Sequence, residues 1–486
     1  VIKLLGYMPD VDRTTPGALM ECVSYVPSIR GMKAAPSPVT GTLSSALAAE
    51  CRGASVLTKI DNSNRFFAGT ATKLYEGGAT SWSDVTRAAG GDYTLASSDR
   101  WCFAQFGNVS LACAKSDTMQ FSNGSGAFAN IAGGIKSAVM DTVGEFIVAG
   151  NTNEGTYGDC PNRWWVTPDY ADWTPSIGNR IATGTIASSA GGIKAIKRFG
   201  ESVVIYKESS MFLGRPVGPP LIFAATEISG EIGAPSQDAV AYIGTESEPR
   251  HIFMGYDDFY LFDGARPIKI GAPVRKTVFS DINRAFSYKC STLHDRFNSL
   301  VYFYYPSVQA GALDRCVVYD YKSDRWGRDD RTVEAVMQYG AVAFTYDDLG
   351  SLLATYDTSA AYTYDSQFFV SNNKIPAIFN SSHVLQLLVG VGSNGSLTPA
   401  DIGDEALMHT VSRATPRWQK KPTEATLTNF YRSQIDEPWE QDYTVSMSEG
   451  RFDFMREARW HKVQINTVGE SEISDLRLNI IEGGEE

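Results

Sequence analysis

The chain predicts an all-β fold: a β-propeller of about seven blades, followed by a C-terminal β-sandwich-like platform. Three observations predict it. A unit of short strands recurs about seven times at roughly 45 to 57 residues, near the period of a propeller blade. Each unit carries an aromatic strand that runs into a tight turn. Aromatic residues make up 12% of the chain and there are 44 glycines, which suits short aromatic-packed strands joined by many turns. Six or eight units fit the same pattern, because the first and last are the least regular.

The aromatic strands appear in order as Lys73–Gly77, Thr118–Ser122, Arg163–Thr167, Ser210–Gly214, Phe259–Gly264, Cys316–Asp320 and Ala361–Asp365. Ahead of each lies a pair of strands. First strands are expected at 56–60, 100–106, 135–143, 193–199, 238–244, 286–293 and 339–346. Second strands are expected at 65–69, 109–115, 145–150, 202–207, 251–256, 300–305 and 352–356. Polar turns such as Asp61-Asn62-Ser63-Asn64 and Asp295-Arg296-Phe297-Asn298 separate them. The second strands are nearly continuous apolar runs, Leu300–Tyr305 most of all. That pattern suits a strand covered on both faces by neighbouring blades. Fourth strands are least regular; Ser323–Trp326 and Ala265–Ile270 are the clearest.

Three segments follow: an arm or closing strand at 1–38, the propeller at 39–375 and an assembly domain at 376–486. The arm holds one strand, Leu19–Val26, expected to close the ring or reach a neighbouring subunit. The last segment holds an apolar strand at His383–Val391 and strand-like runs at 426–432, 443–448 and 459–467, the pattern of a small sandwich. Pro399–Glu405 is the one hint of a helical turn there.

Charge is −12, which argues against a dominant basic face gripping nucleic acid. Seven scattered cysteines (22, 51, 102, 113, 160, 290, 316) form no paired CxxC and read as buried reduced thiols. Val1–Leu5 is too short for the apolar core of a leader, and no apolar run reaches membrane-spanning length. Phosphate-loop, nucleophile-elbow and zinc-helix motifs are missing. The histidines (251, 294, 383, 409, 461) lie far apart and read as packing or hydrogen-bonding residues. Gly78–Asp84 has the residue types of a sialidase turn but not their order. Arg163, Arg284 and Arg296 would have to converge to make such a site. Asp320, Asp324, Asp329 and Asp330 could hold calcium, but four interleaved cations favour a solvated turn. Trp164, Trp165 and Trp173 fit blade packing as well as sugar stacking. No catalytic, cofactor-binding or metal-ligating residue is assigned. The densest cationic–aromatic pattern is C-terminal. Arg413, Arg417 and Trp418, with Arg456, Arg459 and His461, are the expected subunit interface.

Three stretches carry a family likeness: Tyr7–Asp10 with Thr15–Leu19 and Tyr25–Met32; Phe259–Gly264 with Val318–Trp326; and Gly450–Asp453 with Ala458–His461. In their combination and order the chain resembles the tail nozzle or hub proteins of short-tailed, podovirus-like bacteriophages. The resemblance implies a non-enzymatic virion component, assembled in the host bacterial cytoplasm as a ring of six copies below portal and adaptor. Its channel would pass the genome without binding it specifically. It would contact itself, the adaptor and tail fibres or spikes, without stable insertion in a membrane. No long insertion for a distal tip is found, so a gate would fall to loops near 150–162 or 307–312. The reading from another class is a propeller glycosidase or lectin acting on host surface glycan.

Overall fold

The computed structural model describes residues 1–340 and 374–482. The chain is an all-β propeller whose strands form four-stranded antiparallel meanders. The meanders begin, among the described residues, with the strands Ala54–Thr58, Cys102–Phe106, Lys136–Val143, Ile193–Phe199, Val240–Gly244, Ser291–Asp295 and Val333–Gly340. Each of these first strands touches the next, and the last touches the first. A closed circuit of contacts is what a radial stack of twisted sheets produces.

Apolar clusters explain why the stack holds. Phe67 and Leu74 of the first unit meet Ala112 and Phe128 of the second. Val148 and Val166 of the third meet Ile193 and Phe212 of the fourth. Phe66 and Tyr75 meet Met337, Ile375 and Phe379 of the last. All six residues of Leu300–Tyr305 are buried, as a strand covered on both faces requires. Burying one such side chain stabilises by about 1.5–3 kcal/mol, so each cluster is a substantial seam.

The last unit departs from expectation. Its second and third strands are Lys374–Asn380 and Leu385–Gly392, and its outermost strand is Pro36–Thr40 from the chain start. Gln386, Leu387 and Leu388 pair with Thr40, Val39 and Pro38. The expected boundary at 375/376 therefore falls inside a blade strand. The apolar strand expected at His383–Val391 belongs to the propeller, not the sandwich. Leu385, Leu387 and Leu388 are buried and need cover on both faces. The strands expected at 352–356 and 361–365 lie outside the described residues, as does most of 339–346. The closing strand is not Leu19–Val26 but the residues just beyond it. An outermost strand tolerates Pro36 and Pro38, which a central one would not.

The two chain ends meet in a second body of two sheets. One carries Gly31–Ala34, Glu472–Glu482, His409–Lys420 and Phe452–Ala458. It continues through Tyr25–Ser28 into the sixth blade. The other carries Ala18–Val23, Gly395–Pro399, Trp460–Val468, Glu424–Arg432 and Glu440–Ser446. Val411, Leu427, Phe452, Phe454, Val463, Ile465 and Leu476 form the apolar cluster they share. Buried Tyr25 places its hydroxyl 2.8 Å from Thr467 and 2.5 Å from Ser471, pinning the arm to this body. No helix forms at Pro399–Glu405. Asp404 Oδ1 instead accepts Ala406 N and Leu407 N at 2.8 and 2.7 Å, closing a turn. A helix that sequence reading missed spans Arg275–Asp281, and Asp10 of the arm accepts Thr277 N at its start (2.9 Å). No helix among the described residues is long and apolar enough to cross a membrane.

Candidate functional site at the joined chain ends

The six residues expected at an interface separate into three environments. Arg413 and Arg417 project from the outer face of His409–Lys420, where alternate residues point away from the core. Arg413 pairs with Asp453 on the adjacent strand, and Arg451 reaches the same carboxylate at 3.0 Å. Those two guanidinium groups hold the Asp453 carboxyl below its usual range. Arg417 is 72% exposed and stands 3.7 Å from Asp475. Arg477, exposed beside Thr415, extends this face and was not singled out from sequence.

Arg456 does something else. It crosses between the sheets, donating Nε and Nη2 to Asp442 at 2.9 and 2.8 Å. Its guanidinium also lies 4.4 Å from the Tyr431 ring centre. Phe452–Ala458 and Glu440–Ser446 are the terminal strands of their sheets, so this bidentate pair clasps the open side of the body. A charged clasp there also discourages strand addition at both edges. Arg459 is half-buried at the bend between Phe452–Ala458 and Trp460–Val468. Its carbonyl packs on Gly403, where a Cβ would lie 1.9 Å from the oxygen.

His461 and Trp418 are not surface groups as expected. His461 is fully buried, and its Nε2 lies 2.9 Å from the His409 carbonyl of the opposite sheet. Burial pushes its pKa down. Trp418 packs against two apolar clusters. Alternation along a strand identifies faces, but only the packed sheets decide which face is covered.

A second site lies where the first strands of five consecutive blades begin. An open cleft of about 290 Å³ is lined by Arg100, Lys115, Asn151, Lys194, Asp238 and Tyr288, among others. Gln237 holds its wall together. It accepts Ile196 N at 2.8 Å and donates to the Ile196 and Met140 carbonyls at 2.8 and 3.2 Å. Arg100 donates to the Glu334 carbonyl (3.1 Å) and lies 3.9 Å from Asp238. Lys115 bridges Asn151 and Asp159, both at 2.7 Å, and Lys194 pairs with Glu208 at 2.9 Å. Sequence reading missed this convergence; the polar residues just ahead of each first strand were its only trace.

Other candidates are engaged locally. Arg163 donates to Thr183 at 3.2 Å and covers the Tyr157 ring. Asp320 closes a turn by accepting Lys322 N, Asp324 accepts the Tyr319 hydroxyl, and Asp329 and Asp330 pair with Arg331 and Arg328. Trp164 packs on Phe223, and Trp173 donates to the Tyr170 carbonyl. His251 sits between the Tyr206 hydroxyl (2.7 Å) and the Arg198 carbonyl (2.8 Å), and burial lowers its pKa to about 3. All seven cysteines are free thiols, and six are buried.

Comparison with family models returns no match, nor does comparison with curated proteins. Among solved structures, the chain is similar to YCF48 from Cyanidioschyzon merolae, at 11% identity over 73% of this chain and 98% of that one, with a TM-score of 0.38. It is similar to the Pan2 WD40 domain of Neurospora crassa at 7% identity over 70% and 89%, with a TM-score of 0.37. It is also similar to an exo-β-1,3-galactanase from Phanerochaete chrysosporium at 11% identity over 92% and 100%, with a TM-score of 0.28.

Proposed function

We propose that this chain is a structural ring subunit of a short-tailed bacteriophage tail, a nozzle or hub below portal and adaptor. The propeller, in this reading, has seven blades closed by Pro36–Thr40, and the joined chain ends form its sandwich-like assembly platform. The circuit of first-strand contacts supports the blade count. The shared apolar cluster supports the sandwich.

One observation carries the proposal. Both chain ends enter a single body whose sheet continues without a break into the sixth blade. A ring subunit must transmit force between its ring-forming part and its periphery, and a shared sheet does so more stiffly than a linker. Two of the stretches that carry the family likeness lie at this junction, while Phe259–Gly264 sits in the fifth blade. Tyr25–Met32 forms the bridging strands, and Gly450–Asp453 leads into the outer strand beside Arg413.

In the proposed assembly Arg413 and Arg417 meet the neighbouring copy, in a ring of six. A chain of charge −12 would let the genome pass without retaining it, because like charges repel within about a Debye length. The adaptor and tail fibres or spikes are the further partners, and the subunit is not an enzyme.

The test is a reconstruction of the purified chain, alone and with adaptor. Six copies around a DNA-wide channel are expected. The Arg413→Glu/Arg417→Glu variant should keep its β-sheet circular dichroism and lose the ring. A chain that stays monomeric at high concentration and ignores adaptor would sink the proposal. Turnover of a host polysaccharide would favour the glycosidase reading instead.

A further inference from the structure

We infer that the axial cleft is a binding site for a small carboxylate-bearing sugar. The inference is independent of whether the chain forms a ring.

Cationic side chains from different blades converge on the cleft: Arg100 and Lys115 from the second, Lys194 from the fourth. Lys194 is 34% exposed, and among the described residues Glu208 is the one carboxylate it pairs with. An ammonium has three donors, so at least one remains for a ligand. Glu208 (47% exposed) and Asp159 (56% exposed) lie further into solvent than the lysines they pair with. Water can rehydrate these carboxylates cheaply if the lysines turn inward, because exposed ion pairs contribute little. Arg100 is 11% exposed and held in place by the Glu334 carbonyl, with its charge partly offset by Asp238 at 3.9 Å and by Asp99, which also lines the cleft.

The remaining groups suit hydroxyls. Asn151 donates to the Ile193 carbonyl at 3.1 Å and accepts Lys115, which leaves one amide hydrogen and one lone pair; Asp238 is 37% exposed, and Tyr288 presents an amphipathic ring. A volume of about 290 Å³ falls at the lower limit of ligand pockets, which fits one sugar ring rather than a polymer chain.

The experiment titrates the full chain with D-glucuronate, D-glucose and acetate, followed by saturation-transfer NMR and calorimetry at low and moderate salt. Saturable binding of glucuronate is expected, weakened by salt, with glucose and acetate each at least about tenfold weaker. Lys194→Gln should lower glucuronate affinity about tenfold, since it removes one charge-assisted hydrogen bond. Thermal melting of the variant checks its fold, and Lys115→Gln provides a second route to the same loss. No saturable glucuronate binding would overturn the inference. So would equal binding of acetate or glucose, or unchanged affinity in both folded variants.

Discussion

Removing the Arg456 guanidinium should loosen the joined chain ends without opening the propeller. The clasp consists of two charge-assisted hydrogen bonds to Asp442, whose residue is 8% exposed. Such bonds contribute about 1.5–3 kcal/mol each when well buried. Arg456 itself is 36% exposed, so solvent screens part of that. Arg456→Ala leaves Asp442 buried, still accepting Tyr443 N at 2.9 Å but without a cation. A loss of about 2 kcal/mol is expected, with a coupling of about 1–2 kcal/mol in a cycle with Asp442→Ala. Hydrogen exchange is the right assay because stability is read strand by strand. Protection should fall in Glu440–Ser446 and Phe452–Ala458 while Leu300–Tyr305 stays protected. Acid should act in the same direction. The Arg456 side chain holds the Asp442 carboxyl below its usual pKa. A depressed folded-state pKa contributes stability that is present above the unfolded value of about 3.9. That stability is lost as pH falls through the folded value. A double-mutant cycle with no coupling, or exchange spread evenly over the blades, would refute the clasp.

Three further outcomes follow from the packing. Phe379 is fully buried in the seam between the last blade and the first; Phe379→Ala should cost about 3–5 kcal/mol and raise exchange in Asn64–Gly69 as well as in its own strand. If only its own strand responds, the ring is not closed at that seam. His251 has its pKa lowered to about 3 by burial, so its contribution to stability is intact above the unfolded value of about 6.5 and declines as pH drops from there towards 3. Imidazole NMR should show it neutral down to about pH 4, and a midpoint near 6.5 would contradict its burial. Gly403 has φ of +130° and no room for a Cβ against the Arg459 carbonyl; Gly403→Ala should destabilise the joined ends by more than about 1 kcal/mol, measured by thermal melting. An unchanged melting curve would mean that this contact gives way freely.

Much of the propeller was legible in the sequence. The aromatic strands and polar turns marked units one to six because each blade is a local meander, whose register is set by short turns. Leu300–Tyr305 could be read as doubly covered from its six apolar residues alone. The last blade could not be read this way. Pro36–Thr40 and Leu385–Gly392 are separated by most of the chain, and no local signal announces such pairing. At the candidate interface the cationic–aromatic pattern marked Arg413 and Arg417, and the structure leaves both exposed. The same logic misplaced His461, whose neighbours come from the opposite sheet.

The sequence by itself determined strand identity, turn placement and the repeating unit, because these depend on residues within about a dozen positions of one another. Only the tertiary structure decided how the ring closes, how the two ends share a core, and which polar groups converge on the axis. Those are contacts between segments far apart in the chain. Arg100, Lys194 and Asp238 acquire a common cleft only after the blades have stacked around it.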